Sequence, residues 1–202
     1  MGGTADGYRV PAATAEGELR EKGSRFLAIV GPAASEEAAE AVLAAIRARH
    51  PDATHYCWGW RLGREGRQRS SDDGEPAGTA GVPILQVLRG ADLADALVVV
   101  VRWFGGTKLG KGGLARAYAA AASTAVDRLP VARKVPTFRL VVEPSYERLG
   151  AVKRLVHPPE VELVDERYER GPRLTMKVFG PRLESVSEAL RELGLTGRVE
   201  PL

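Results

Sequence analysis

The longest apolar run of the chain lies near its middle. Residues 97–101 are uninterruptedly apolar and mostly β-branched, which predicts a strand buried on both faces. Five glycines follow within residues 105–113, and an alanine-rich helix is expected from Leu114 to about Leu129. A buried strand, a glycine loop and a helix start thus follow one another, and this junction is where we expect function.

Shorter periodic patterns predict the elements before this run. Alternation with period two indicates strands, and an apolar stripe at helical spacing indicates a helix that Ser35 caps and Pro51 ends. The expected strands are 13–21, 24–31 and 54–62, the expected helices are 35–50 and 79–89, and the expected irregular segments are a loose tip at 1–12 and a polar loop at 63–77.

The last third of the chain has a pattern of its own, after an expected linker at 130–136. Its strand and helix periods follow in the order βαββαβ, the ferredoxin-like arrangement. The elements are strand 137–143, helix 145–156 with Tyr146, Leu149, Val152 and Leu155 on one side, strands 161–168 and 173–179, helix 181–193 and strand 197–202. We therefore predict an α+β protein with two domains, 1–134 and 135–202.

Composition narrows the functional classes. An apolar content of 44% and a charged content of 27% are typical of a folded globular protein. The single Cys57 excludes an internal disulfide and a cysteine-based metal cluster, which favours the cytoplasm. The N-terminus lacks the apolar core of a signal peptide, and no apolar run is long enough to span a membrane. We expect no membrane partner, no metal and no cofactor.

The distribution of charge predicts an anionic ligand. The net charge of +3 lies in residues 1–134, and residues 96–126 contain no Asp or Glu. A helix N-terminus with free backbone N–H groups suits a phosphate, and a second basic cluster, Arg61, Arg64, Arg67 and Arg69, is expected to extend the site. The candidate phosphate-binding residues are Arg102, Gly105, Gly106, Lys108, Gly110, Lys111, Gly112, Gly113 and Arg116.

The glycine loop also approaches two nucleotide-binding motifs. Gly105 and Gly110-Lys111 have the P-loop spacing, but Gly112 replaces the Ser or Thr that holds magnesium. Gly110-x-Gly112-x-x-Ala115 approaches the dinucleotide fingerprint without its later acidic residue. A tight turn that needs positive φ is the remaining alternative.

Two further segments leave alternatives open. Asp72, Asp73 and Glu75 could hold magnesium, form a turn, or orient Arg102, Lys108 or Arg116. The aromatic face of strand 54–62 is either core or a platform for stacking bases. His55 is interpreted as a buried or interface residue, and of Trp103 and Phe104 we expect one to pack and the other to be presented.

Four motifs resemble the IMPACT/YigZ family over about residues 15–130. They are Ser24-Arg25-Phe26, His50-Pro51-Asp52-Ala53-Thr54-His55, the segment from Ser71-Asp72-Asp73-Gly74-Glu75-Pro76 to Gly78-Thr79-Ala80-Gly81, and the segment from Val101-Arg102-Trp103-Phe104-Gly105-Gly106 to Arg116-Ala117-Tyr118. The resemblance implies a first domain of the left-handed βαβ kind, like the second domain of a small-subunit ribosomal protein. It implies a second domain like the fifth domain of elongation factor G, and a role in translational regulation under stress. It supplies no catalytic residue.

The hypothesis is a cytoplasmic, non-enzymatic protein that binds RNA or the ribosome through the glycine loop. One alternative is an enzyme for a phosphorylated small molecule, with Asp72 or Asp73 holding a metal or acting as base. The other is a protein–protein adaptor that docks through its second domain. The residues expected to support the site are Arg25, His55, Ser71, Asp72, Asp73, Glu75, Thr79, Trp103 and Tyr118.

Overall fold

The computed structural model describes residues 7–63 and 65–201, and its contacts divide the chain into two compact units. One unit comprises Tyr8–Arg133, and the other is built from Lys134 onward. Both contain strands and helices, so the chain is a mixed α/β protein with two domains. Among the described residues, no helix is long and apolar enough to cross a membrane. Part of the predicted tip (1–6), Arg64 and Leu202 lie outside the described residues.

The first unit is an antiparallel sheet between helices. Its sheet has the strand order β2-β3-β6-β4-β5, and β1 pairs separately with β7. Up to residue 134 the strands are β1 (Tyr8–Pro11), β2 (Ala15–Glu21), β3 (Ser24–Pro32), β4 (His55–Leu62), β5 (Arg67–Ser71), β6 (Ala96–Trp103) and β7 (Val131–Lys134), and the helices are α1 (Glu36–Arg49), α2 (Gly81–Gly90) and α3 (Gly110–Val126).

Strand β6 lies in the centre of this sheet and is covered on both faces. Val98 and Val100 pack with the residues of α2 and α3, whereas Val99 and Val101 pack with those of α1. Residues 96–102 are all buried. The prediction of a strand buried on both faces is confirmed, although the sheet is antiparallel, because helices cover both of its sides.

Four local predictions for this unit are wrong. Residues 8–11 and 131–134 were expected as a tip and a linker, yet they pair as β1 and β7. The expected loop at 63–77 contains β5, because left-handed glycines at 63 and 66 turn the chain back onto β4. Helix α3 begins at Gly110 rather than Leu114, since extending a formed helix is easier than starting one and this outweighs the poor propensity of glycine.

The second unit has the predicted βαββαβ order. Its elements are β8 (Thr137–Val142), α4 (Tyr146–Lys153), β9 (Val161–Arg167), β10 (Arg173–Phe179), α5 (Leu183–Glu192) and β11 (Arg198–Pro201). The strand order is β11-β8-β10-β9, antiparallel throughout, and the core contains Leu140 and Met176 from the sheet with Val152 and Leu190 from the helices. Tyr146, which was grouped with the apolar side of this helix, is 67% exposed and stacks on the exposed Tyr168.

Candidate functional site

Strand ends bring the sequence motifs together at one end of the five-stranded sheet. Strands β3 and β4 both run antiparallel to β6, so their first residues lie beside its last ones. Arg25 pairs with Trp103, and His55 pairs with Arg102. The acidic segment, residues 72–75, contacts the same strand ends, because Nδ1 of His55 lies 2.8 Å from the carbonyl oxygen of Asp73. Motifs that are far apart in sequence therefore form one cluster.

A buried ion pair lies at the centre of this cluster. The side chains of Arg102 and Glu75 are 5% and 4% exposed, and Arg102 Nη1 donates to Glu75 Oε1. Arg102 Nη2 donates to Ser24 Oγ at 3.2 Å, and Tyr118 Oη donates to Glu75 Oε1 at 2.7 Å. Burial, together with Cys57 and Glu75, raises the pKa of Tyr118 above its usual range. The expectation that Arg102 binds a phosphate is thus corrected, since its charge is inside the protein.

Asp72 stabilises the start of helix α2. Its Oδ1 accepts hydrogen bonds from the N–H groups of Ala80 and Gly81 at 2.9 and 2.8 Å, and its Oδ2 accepts one from Gly78 at 2.8 Å. Burial alone would raise the pKa of Asp72, but these three bonds outweigh it and lower the pKa below its ordinary value. Asp72 thereby caps a helix whose own N-cap residue, Ala80, has no side-chain acceptor.

Asp73 is also engaged within the fold. It accepts hydrogen bonds from Arg47 Nη2 at 2.6 Å and from the backbone N–H of Tyr56 at 2.7 Å. All three carboxylates of the acidic segment therefore have partners in the protein. In the described part of the chain, no group of three His, Cys, Asp or Glu residues is arranged to hold a metal ion. Of the three basic residues that these acids were expected to orient, only Arg102 is paired with one of them.

The other residues expected to support the site make contacts around the buried ion pair. The guanidinium of Arg25 lies 4.7 Å from the centre of the Trp103 ring, and Trp103 Nε1 donates to Asp52 Oδ2 at 2.9 Å. Ser71 Oγ accepts from the N–H of Asp73 at 3.2 Å, and Thr79 Oγ1 donates to the Pro76 carbonyl oxygen at 2.6 Å. These contacts hold the acidic segment and the end of β6 in place. The glycine segment, residues 105–113, follows directly after them.

Within the glycine segment, one glycine is required by close packing. A Cβ at Gly105 would lie 1.9 Å from the carbonyl carbon of Gly23, in the turn between β2 and β3. The predicted strands 13–21 and 24–31 leave Lys22 and Gly23 between them, but the sequence does not show that this turn packs against the glycine loop. The Gly105 N–H also donates to Ser24 Oγ at 3.2 Å, which ties the loop to the buried cluster. Close packing therefore accounts for the glycine at position 105.

The first turn of α3 is different. Gly112 and Gly113 have no positive φ, and a Cβ at Gly112 would make only an ordinary 3.5 Å contact with Nη1 of Arg116. No side chain caps this helix, and its first turn contains no acidic residue. Neither backbone conformation nor packing demands a glycine at position 112. The result is an exposed stretch of bare backbone with uncapped N–H groups.

Three cations surround this turn. Lys108, Lys111 and Arg116 are exposed, and none of them forms an ion pair with any residue that the structure describes. Arg116 folds back along α3, because its Nη1 lies beside Gly112. Of the four arginines predicted to extend the site, the three that the structure describes have other partners. Arg67 and Arg69 pair with Glu36, Arg61 donates to the Leu93 carbonyl, and β5 lies at the opposite edge of the sheet from β2.

The aromatic residues divide between core and surface. Tyr56, Trp58 and Trp60 pack with the cluster beneath α1, so the core alternative for this strand face holds. Trp103 is half-buried and packed, whereas Phe104 is 46% exposed beside the glycine segment. One aromatic residue of this pair therefore packs and the other is presented.

Comparison with known proteins fits this arrangement. The sequence profile of the Impact N-terminal domain matches residues 22–126, from the turn that contacts Gly105 to the last residue of α3. The chain belongs to the IMPACT family. It is similar to IMPACT family member YigZ of Escherichia coli, with 35% identity over 167 residues that cover 81% of this chain and 82% of the relative.

One solved structure is similar over nearly the whole chain. A crystal structure described as that of a hypothetical protein is 31% identical, with a TM-score of 0.74 and coverage of 95% of this chain and 96% of the other. A structure of the two-domain translational regulator Yih1 is 28% identical, with a TM-score of 0.41 and coverage of 58% and 48%. The likeness to the first of these two structures covers residues of both units of this chain.

Proposed function

We propose that this IMPACT family protein is a translation-associated regulatory protein that binds RNA or the ribosome through the first turn of α3. The phosphate groups would contact the N–H groups of residues 110–113, flanked by Lys108, Lys111 and Arg116. The observation that carries the proposal is the bare backbone at Gly112, which the fold itself does not require. Glycine at such a position allows another molecule to approach the backbone closely.

The local electrostatics support an anion at this position. The N-terminus of a helix carries a partial positive charge, and side chains of Asp or Glu that would normally neutralise it are absent from residues 96–126. Three cations without partners add to the same field. Backbone amides and point charges hold phosphates without reading bases, so the predicted contact is independent of RNA sequence.

The proposal also includes a role in translation and a resemblance of each unit to a domain of the translation machinery. We infer that 1–134 corresponds to the second domain of a small-subunit ribosomal protein and 135–202 to the fifth domain of elongation factor G. The antiparallel order β11-β8-β10-β9 is consistent with the second likeness. The proposal includes the cytoplasm as the location of this regulator and stress as the condition in which it acts.

The test is binding to purified ribosomes and to fluorescently labelled RNA at two salt concentrations. With three cations engaged, log affinity for single-stranded RNA should fall with log salt at a slope of about −2. Lys108→Ala/Arg116→Ala should weaken binding and reduce the slope to about −1. Arg9→Ala/Arg133→Ala removes two exposed cations from β1 and β7, beyond the other end of α3, and should have little effect. Salt-independent binding, or equal loss in both double variants, would overturn the proposal.

A further inference from the structure

A small groove adjoins the first turn of α3. It has a volume of about 230 Å³ and lies between the β2–β3 turn and the exposed flank of α3. Its apolar lining, the floor, comprises Leu19, Leu109, Ala117 and Ala120. Lys22, Arg116 and Glu21 stand at its rim, so two cations face one carboxylate.

We propose that this groove receives the base of an unpaired RNA nucleotide whose phosphate lies on the first turn of α3. The inference rests on the proposed function and names its ligand more closely, as single-stranded rather than duplex RNA. The groove is smaller than pockets for drug-sized ligands, which begin at about 300 Å³, and so it suits one ring system. Apolar contacts with the faces of the ring, together with a guanidinium beside it, are how proteins hold unstacked bases.

Two residues belong to both the groove and the phosphate surface. Arg116 lines the groove and also reaches Gly112, so its charge lies between the two. Gly113 lines the groove as well, and a Cβ there would lie only 3.2 Å from Cβ of Leu109. Because Gly113 has no positive φ, its lack of a side chain serves space rather than backbone conformation. A base in the groove would thus lie within one nucleotide of the amides of α3.

The occupant follows from the two kinds of lining. A free phosphate would not use the apolar floor, and an uncharged apolar ligand would not use Lys22 and Arg116. A nucleotide uses both. In duplex RNA the bases are stacked and paired, so they cannot enter the groove, and duplex RNA is restricted to phosphate contacts. Single-stranded RNA should therefore bind more tightly than duplex RNA at the same salt concentration.

The decisive variant fills the groove without changing charge. Ala120 is exposed on α3, so Ala120→Leu should fold normally, as circular dichroism will show, while obstructing the apolar floor. Ala44→Leu makes the same substitution on the exposed side of α1 and is the control. The probes are an unstructured oligoribonucleotide and a duplex of the same length, compared by fluorescence anisotropy.

The wild type and Ala44→Leu should bind the single strand about tenfold more tightly than the duplex, the size of one base-stacking contact. Ala120→Leu should lose that preference and keep the duplex affinity. An unchanged preference in Ala120→Leu, or no preference in the wild type, would overturn the inference. Displacement of the RNA from the wild type, but not from Ala120→Leu, by an acidic amphipathic peptide would assign the groove to a protein partner and also overturn it.

A second pair of measurements separates this inference from the proposed function. Lys108→Ala/Lys111→Ala should weaken the binding of the single strand and of the duplex to the same extent. If the double lysine variant weakens both affinities while Ala120→Leu changes neither, the phosphate contact at the first turn of α3 is supported and the groove inference fails. If it weakens neither, the proposed function itself fails.

Discussion

Glu75 and Arg102 form an ion pair inside the first unit, at the point where the acidic segment meets the end of the central strand. Ser24 and Tyr118 bind the same pair, so four segments of the sequence are fastened at one place. The basic residue that most directly follows the apolar run is therefore part of the fold. The ligand surface begins a few residues later, in the glycine segment.

Glu75→Gln should destabilise the protein strongly. The substitution keeps the shape of the side chain but leaves the buried guanidinium of Arg102 without a counter-charge, which costs about 3–5 kcal/mol. Urea unfolding at neutral pH measures the loss. Glu18→Gln is the control, because Glu18 pairs with Arg25 at the surface and its loss should cost less than about 1 kcal/mol. Equal, small losses in both variants would contradict the assigned role of the pair.

Asp72→Asn should weaken the cap of α2 and remove part of the acid sensitivity of folding, because the amide has no charge and only one of the two acceptor oxygens. At neutral pH we expect a loss of about 1 kcal/mol in the free energy of unfolding. Because folding lowers the pKa of Asp72, its stabilisation is present above the ordinary pKa of 3.8 and disappears as the pH falls through the lower folded value. The wild type and the variant should therefore converge at low pH in a series of urea unfolding curves.

The control for this series is Glu40→Gln, which changes an exposed carboxylate on α1 that makes no side-chain bond with the described residues. It should leave stability at neutral pH unchanged. A difference between wild type and Asp72→Asn that stays constant down to the lowest pH would show that the charge of Asp72 is not what caps α2.

Cys57 should be inert in the native protein. The side chain is buried, and burial raises the pKa of the thiol to about 12. At pH 8 only about one thiol in ten thousand would be ionised, so a disulfide reagent should react only after the protein opens. The labelling rate should follow the urea unfolding curve and rise in Glu75→Gln. Rapid, complete labelling of the native protein would contradict this prediction.

The sequence was sufficient for the features that depend on local periodicity. The apolar residues of β6, the alternation of β4 and the βαββαβ order of the second unit all appear as predicted. The pairing of β1 with β7 could not be predicted, because each strand has only four residues and the partner lies far away in the chain. Pairing of Arg102 with an acidic residue was among the open alternatives, but its burial could not be predicted, since it depends on Glu75, which precedes it by 27 residues.

The glycines of residues 105–113 look alike in the sequence, but the structure divides them into two kinds. Gly105 is required by close packing, whereas Gly112 is not. Gly105→Ala should cost about 3 kcal/mol or more, since its Cβ would overlap the backbone of Gly23. Gly112→Ala should instead stabilise α3 by up to about 1 kcal/mol, the difference in helix propensity. Urea unfolding distinguishes the two directly.

RNA binding should follow the opposite order at position 112. If the bare backbone there contacts phosphate, Gly112→Ala should weaken RNA binding about tenfold, roughly the contribution of one hydrogen bond to a charged group. A variant that is more stable yet binds less well separates recognition from folding at a single residue. If Gly112→Ala gains stability and retains full affinity, phosphate does not approach this turn, and the glycine there serves neither the fold nor the proposed ligand.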